Sequence, residues 1–565
     1  MKLNRRQFLK QSALGVAGAT LASESIISAP TILTSSRGNN MSKSTSQGEL
    51  IFRPHFVQKG VGPHLLDWAY ASDANWDAFH SNITASQEGV KISDAEGKKK
   101  FGVDVRWNVE GFGYIFITAD NGGEFYELPA AGKTAMLNLN FELAKSRVLR
   151  NRRRMSLHSK AGWKPSRELA AFANLSEEYF ADAAKVQSDG EKCGALAQKA
   201  LHYAMWAGEK IELEKAEHDI NKTGPRPDFF IGCDARGYFQ MDPDLFLSRF
   251  VELFNYATIT HYLVSGSYQD FEPEEDGKQF NLRTALFKEL RRRNITVEGR
   301  PLFWFYKTTT PDWLRKKSYD ELLKYVEKHA REVVGHYGDE MYAWEVVNEA
   351  HDWANELQLR PEQIVEVTRL ACEVAKATNP KVHRLINNCC PFAEYVQLKK
   401  WGELDAIYPQ RTPHQFMRDL VEADVDFTIT GLQMYFPYRD LADTILLIER
   451  YEEFGRPMQL TEVGASSGPT KESIMAETLK MPTEPYIWHR HWDEELQADW
   501  LEGLYTLAYS KPFIEAVNWY DFVDPHSWIK NGGLLRSPKG EKKAAFDRLM
   551  KLQGKWKNLK DKQHR

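Results

Sequence analysis

Ordered cysteine spacing, a dominant charge and repeated long apolar runs are all missing from this chain. Among 565 residues there are only five cysteines, Cys193, Cys233, Cys372, Cys389 and Cys390. Their number is odd and none of the intervals fits a zinc site; export would permit a disulfide, and the spacing does not say which pair would form it. The formal net charge of -4 leaves no electrostatic case for a nucleic-acid partner. Beyond the first residues no run is long and apolar enough for a stable membrane span. A glycine-rich phosphate loop after the first predicted strand is also absent, which removes the usual reason to expect a nucleotide-binding sheet or its cofactor.

What is present divides into four regions. Residues 1–47 hold Arg5 and Arg6 ahead of a short apolar stretch at 13–22, then a linker rich in Ser, Thr, Asn and Gly. That pattern resembles a twin-arginine export signal and implies a periplasmic or extracellular protein. Residues 48–146 alternate apolar with polar side chains in short segments at 102–107, 114–118 and 135–143, with a turn at Asn121, Gly122 and Gly123. A small antiparallel β-sandwich is expected, and Trp68, Trp76 and Trp107 are either sugar-stacking platforms or core. Residues 147–224 read as helix, with apolar positions such as Leu196, Ala200, Tyr203 and Ala207 at helical spacing. The basic run Arg152, Arg153, Arg154 reads as a solvated helix face.

From 225 to 556 strand and helix alternate. Strands are expected at 229–233, 256–264, 301–306, 342–347, 384–387, 426–435, 458–461 and 516–520, each followed by an amphipathic helix. Eight such units predict an α/β fold, a (β/α)8 barrel of the triosephosphate isomerase (TIM) type, preceded by the sandwich and the helical segment. In such a barrel the carboxyl ends of the strands converge on one concave face.

Two glutamates fall there. Strand four, WEVVN, stops at Glu349, and strand seven, MQLT, stops at Glu462. A pair of facing carboxyl groups is what glycosidic cleavage needs, one as proton donor to the leaving oxygen, the other as nucleophile or base. With direct attack the two sit roughly 5 to 5.5 Å apart and configuration is retained. Glu349 is expected in an apolar setting that keeps its proton; Glu462 needs hydrogen-bond donors that keep it ionised. Asn348 offers an amide to the adjacent sugar hydroxyl.

These residues carry a resemblance. WEVVNE at 344–349, TE at 461–462 and the stretch 519–528 ending DPHSW resemble glycoside hydrolase family 10, the retaining endo-xylanase family, over residues 229 to about 552. Phe254, Asn255 and Thr258, and then Trp304, Pro311 and Trp313, follow in the family's order. The resemblance implies Glu349 as acid/base, Glu462 as nucleophile, Asn348 as hydroxyl-binding amide, and Trp304, Trp519 and Trp528 as aromatic walls around a polysaccharide or oligosaccharide. Departures are as informative. The family's sugar-gripping Glu, Asn, Lys and Trp on strand two are replaced by Thr260, His261, Val264 and Ser265; its Trp-His on strand three is Trp304 and Phe305; its Asn-Asp after strand five is Asn387 and Asn388. Its Gln-x-His on strand six is Gln433, Met434 and Tyr435, and Tyr435 is expected to donate to Glu462 in place of the histidine. A divergent xylanase-type hydrolase with altered specificity is therefore expected. Two other readings stand beside it: a glycan-binding barrel without turnover, and a metal-dependent hydrolase using His489, His491, Asp493 and Glu494, against which His489 packed between Trp488 and Trp492 is the plainer expectation.

Overall fold

A computed structural model describes residues 47–55, 68–86, 88–265, 270–402, 404–468 and 487–559. The expected export motif around Arg5 and Arg6 lies outside them. Among the described residues no helix is long and apolar enough to cross a membrane.

The first region forms two four-stranded sheets. In one, Asn82–Ser86, Gly89–Asp94, Glu49–Arg53 and Thr134–Asn138 lie side by side; in the other, Ala78–Phe79, Ala69–Ser72, Gly102–Val109 and Gly113–Ala119. Leu50, Phe52, Val90 and Ile92 of the first share a core with Val103, Val105, Ile115 and Ile117 of the second. The pairing is not wholly antiparallel, because Glu49–Arg53 runs parallel to Thr134–Asn138. The alternation at 135–143 also breaks halfway. Asn138 accepts the backbone N–H of Phe141 and so caps the helix Leu139–Lys160, which ends the strand at that residue.

Trp68 and Trp107 are core residues, 7% and 0% exposed, and the Trp107 indole donates to Gln198. Neither is a platform for sugar. Trp76 is half-buried and has the Arg150 guanidinium over its ring at 4.7 Å.

Helices Leu139–Lys160, Arg167–Lys185 and Gly190–Thr223 follow, and they join the sheets to the barrel. The junction is charged and dry. Arg147 donates to Asp440 Oδ2 at 2.7 Å and Asp443 Oδ2 at 2.9 Å, and Arg150 to Asp443 Oδ1 at 2.6 Å. Arg439, from the loop after barrel strand six, reaches back to Asp104 at 2.9 Å and to Tyr70. The basic run is likewise not one solvated face: Arg152 pairs with Glu177 in solvent, whereas Arg154 is largely buried between Glu212 and Glu449. Truncating one partner of a buried pair leaves the other charge uncompensated. Arg147→Ala is therefore expected to cost about 3–5 kcal/mol of stability, read as a lower calorimetric Tm.

Eight parallel strands close the barrel, in the order Phe230–Asp234, Tyr256–Thr260, Thr296–Arg300, Ala343–Asn348, His383–Asn388, Ile429–Tyr435, Met458–Gly464 and Ile514–Trp519. The helices between them start where the sequence marks them. Asp242 accepts the N–H groups of Asp244 and Leu245 ahead of Pro243–Leu253, and Ser318 and Glu321 form a reciprocal cap on Tyr319–Tyr337. Strand three is displaced from its expected place. The apolar run at 302–305 drew the expectation to 301–306, but Pro301 has no N–H to give and the regular ladder ends at Arg300. The barrel interior is polar here: Glu298, Arg300 and Glu345 are at most 1% exposed, and Tyr256 donates to Glu298 at 2.5 Å. Beyond Pro301 the chain stays extended, with Leu302 N–H on Glu345 O and Phe303 N–H on Val346 O.

Candidate active site

Strand four is buried along its whole length and ends in Asn348. Glu349 then enters the left-handed backbone region, φ +55°, while its N–H still bonds Asn387 O at 2.9 Å on strand five. For a residue with a Cβ that conformation costs of order 1–3 kcal/mol, and it turns the side chain over the mouth of the barrel. Glu349 Oε1 accepts from Gln433 Nε2 at 2.8 Å and Oε2 from Trp304 Nε1 at 2.9 Å. The residue is 7% exposed. Burial, followed by the negative charge of Glu462, pushes its pKa up to about 7, against the two donors. A carboxyl group so placed is half protonated near neutrality.

Strand seven continues through Glu462 to Gly464, three residues past the expected stop. Its pairing slips between Leu432 and Gln433 on one side and between Leu460 and Val463 on the other. Such irregularities re-aim side chains at barrel rims. Glu462 is 5% exposed; Oε1 accepts from Arg300 Nη2 and from Asn387 Nδ2 at 3.1 Å, and Oε2 from the Tyr435 hydroxyl, the donor expected in place of a histidine. Asn387 is itself oriented by Thr461, whose hydroxyl donates to Oδ1 at 2.5 Å. Gln433 links the two carboxyl groups, since it stands opposite Glu462 in register and hydrogen-bonds Glu349. The same amide lies 3.4 Å from Asn348 Oδ1.

The aromatic residues part company. Trp304 stands half-buried beside Glu349, stacked on Tyr306 at 5.4 Å, and Trp528 is 54% exposed on the loop after strand eight. Trp519 is 0% exposed, packed against Trp500, with its indole N–H on Gly532 O. The aromatic wall expected at Trp519 is therefore packed away from the mouth, and the next residue, Tyr520, has the guanidinium groups of Arg236 at 4.5 Å and Arg300 at 5.1 Å over its ring.

Sequence reading missed Arg300 and Glu345. Glu345 was hidden inside a run read as apolar and Arg300 lay one residue before the expected strand three, yet a charged residue at a buried strand position is itself the mark of a polar barrel interior. The metal reading finds no support in the placement of its residues. His489 stacks on Trp488 at 3.9 Å and lies against Trp206, not Trp492, with Glu209 on its Nε2 at 2.6 Å. Asp493 caps the helix Glu494–Tyr509, and Glu494 pairs with Arg536. Among the described residues no three His, Cys, Asp or Glu side chains cluster as a metal site. The five cysteines are free thiols, with Cys389 buried and Cys390 half-buried at the end of strand five.

Residues 265–552 match the family model described as glycosyl hydrolase family 10, just over half of the chain. A beta-1,4-xylanase of Dictyoglomus thermophilum is 25% identical over 268 residues, covering 46% of this chain and 67% of that protein. Endo-1,4-beta-xylanase A of Caldicellulosiruptor sp. (strain Rt8B.4) is 31% identical over 300 residues, covering 48% of this chain and 39% of that protein. The chain thus spans about two thirds or less of the length of these relatives. Native xylanase 10B from Thermotoga maritima superposes with a TM-score of 0.44 at 19% identity, over 61% of this chain and 98% of that one.

Proposed function

The chain belongs to glycosyl hydrolase family 10, and from that footing we propose that it cleaves a β-linked glycan of the xylan type with retention of configuration. One observation carries the reading: two buried glutamates at the ends of strands four and seven, one holding its proton near pH 7 and the other surrounded by donors. In the first step the Glu349 proton passes to the leaving oxygen as a Glu462 oxygen bonds the anomeric carbon. In the second, Glu349 takes a proton from water, which attacks the same carbon and releases Glu462. Asn348 and Gln433 are placed to hold the sugar between them, with Trp304 and Trp528 as its aromatic surfaces. The relatives named xylanases support xylan as the backbone. The residues replaced on strand two, with Tyr262 and Tyr520 now 3.4 Å apart at their hydroxyls, favour a decorated or otherwise altered chain.

The sheets at 48–138 are proposed to flank this site as a fixed layer, on the strength of Arg439–Asp104 and of Phe116 N–H on Tyr438 O at 2.8 Å. Export is proposed on residues 4–22 alone. The test is hydrolysis by purified full-length protein across a panel of β-linked xylans, glucans and mannans. Release of reducing ends from at least one xylan is expected; saturable binding without turnover would instead establish a glycan-binding barrel.

A further inference from the structure

Arg300 ends strand three, between Gly299 and Pro301, and is 1% exposed. Its Nη2 donates to Glu462 Oε1, its Nε lies 3.4 Å from Glu345 Oε2, and its guanidinium sits over the Tyr520 ring. Beside it Gly299 packs directly under the Trp344 ring, which a Cβ there would meet at 2.2 Å. The guanidinium contacts both carboxyl groups and has the Tyr520 ring beneath it at 5.1 Å. No other cation contacts Glu462 among the described residues; Arg236, the next, is committed to Asp234 and Asp521.

The remaining groups around Glu462 are acids or neutral donors. Glu345 and Glu298 rise from the barrel interior, Glu349 stands across the mouth, and Cys389 ends strand five. Tyr262, Tyr435 and Tyr520 close the other sides. Three carboxyl groups thus share a buried site with Glu462, and Arg300 is the cation in contact with it. Asn387 and Tyr435 supply hydrogen bonds but no charge.

We propose that Arg300 is the positioning residue that keeps Glu462 ionised and aimed, a task this chain assigns to an ion pair drawn from strand three. Glu345 completes the device. When a Glu462 oxygen bonds the anomeric carbon its negative charge is lost, and the guanidinium keeps its contacts with Glu345 Oε2 and the Tyr520 ring. Arg300 Nη1 is buried and has no hydrogen-bond partner.

The inference rests on the proposed hydrolase reading for its consequence but not for its measurement. Protein labelled with 13C at the glutamate side-chain carboxyl is titrated by NMR, the Glu462 resonance being identified by its loss in E462Q. R300M and R300Q, which remove the charge, are expected to raise the Glu462 midpoint by about 1–3 pH units, the scale set by one close opposite charge; R300K is expected to restore most of it. The acid limb of the kcat/KM profile on an aryl β-glycoside is expected to move upward with the NMR midpoint, and kcat to fall about 100-fold in R300Q. An unmoved midpoint in both R300M and R300Q overturns the proposal, whatever happens to the rate. Should the wild type hydrolyse no glycoside while the midpoint still moves, the hydrolase reading fails and the ion-pair role stands.

Discussion

Glu462→Ala is expected to lower kcat on an aryl β-xyloside by roughly four to six orders of magnitude, the scale of losing a covalent nucleophile. The variant keeps Glu349, so protonation of the leaving oxygen survives, but nothing remains to hold the anomeric carbon. Azide is small enough to occupy the vacated space. Added to the variant, it is expected to restore turnover and to yield the α-glycosyl azide, because it attacks from the face the carboxylate has left. Proton NMR of the product distinguishes the anomers. A β-azide, or wild-type rate without any azide, would remove Glu462 from the role assigned to it. The surrounding donors make this substitution tolerable to the fold, since Arg300 retains Glu345 and Tyr435 lies at the half-buried mouth.

Glu349→Gln produces a different pattern. Its pKa of about 7 comes first from burial and then from the charge of Glu462. The wild-type kcat/KM is accordingly expected to fall as pH rises through about 7, because above it the acid has lost the proton the leaving oxygen needs. In the variant this alkaline limb disappears. Xylan and alkyl glycosides, whose leaving groups need that proton, are expected to lose about 10²–10⁴-fold in rate. A dinitrophenyl glycoside, which departs unaided, keeps its first step and stalls at the second, giving a burst followed by slow turnover. Equal losses on both classes of substrate would show that Glu349 holds the structure and not the proton.

Barrel and carboxylate pair were legible for the same reason. Helices on the outside of a barrel show a 3.6-residue period, and a glutamate ending a buried strand has no packing role to hide behind. Strand three was misplaced because its inward side chains are Glu298 and Arg300, so the apolar stretch nearest to it belongs to the extended segment after Pro301. Trp519 was misread because an indole in a matching motif looks alike in sequence whether it faces sugar or the Gly532 carbonyl. Arg300 could be found only by pairing residues 162 positions apart. The same limit applies to the ion pairs of Arg147, which link a helix to aspartates nearly three hundred positions downstream.

Those aspartates sit on a segment with a second duty. Tyr435, which grips Glu462, and Arg439, which is fastened into the outer sheets, are separated by a single turn of chain. Whatever loosens the outer layer therefore slackens the grip on Glu462 before the eight-stranded cylinder itself gives way. Catalysis should fade on warming ahead of melting, and a bare barrel cut free of its amino-terminal coat would make a poor catalyst even where it folds.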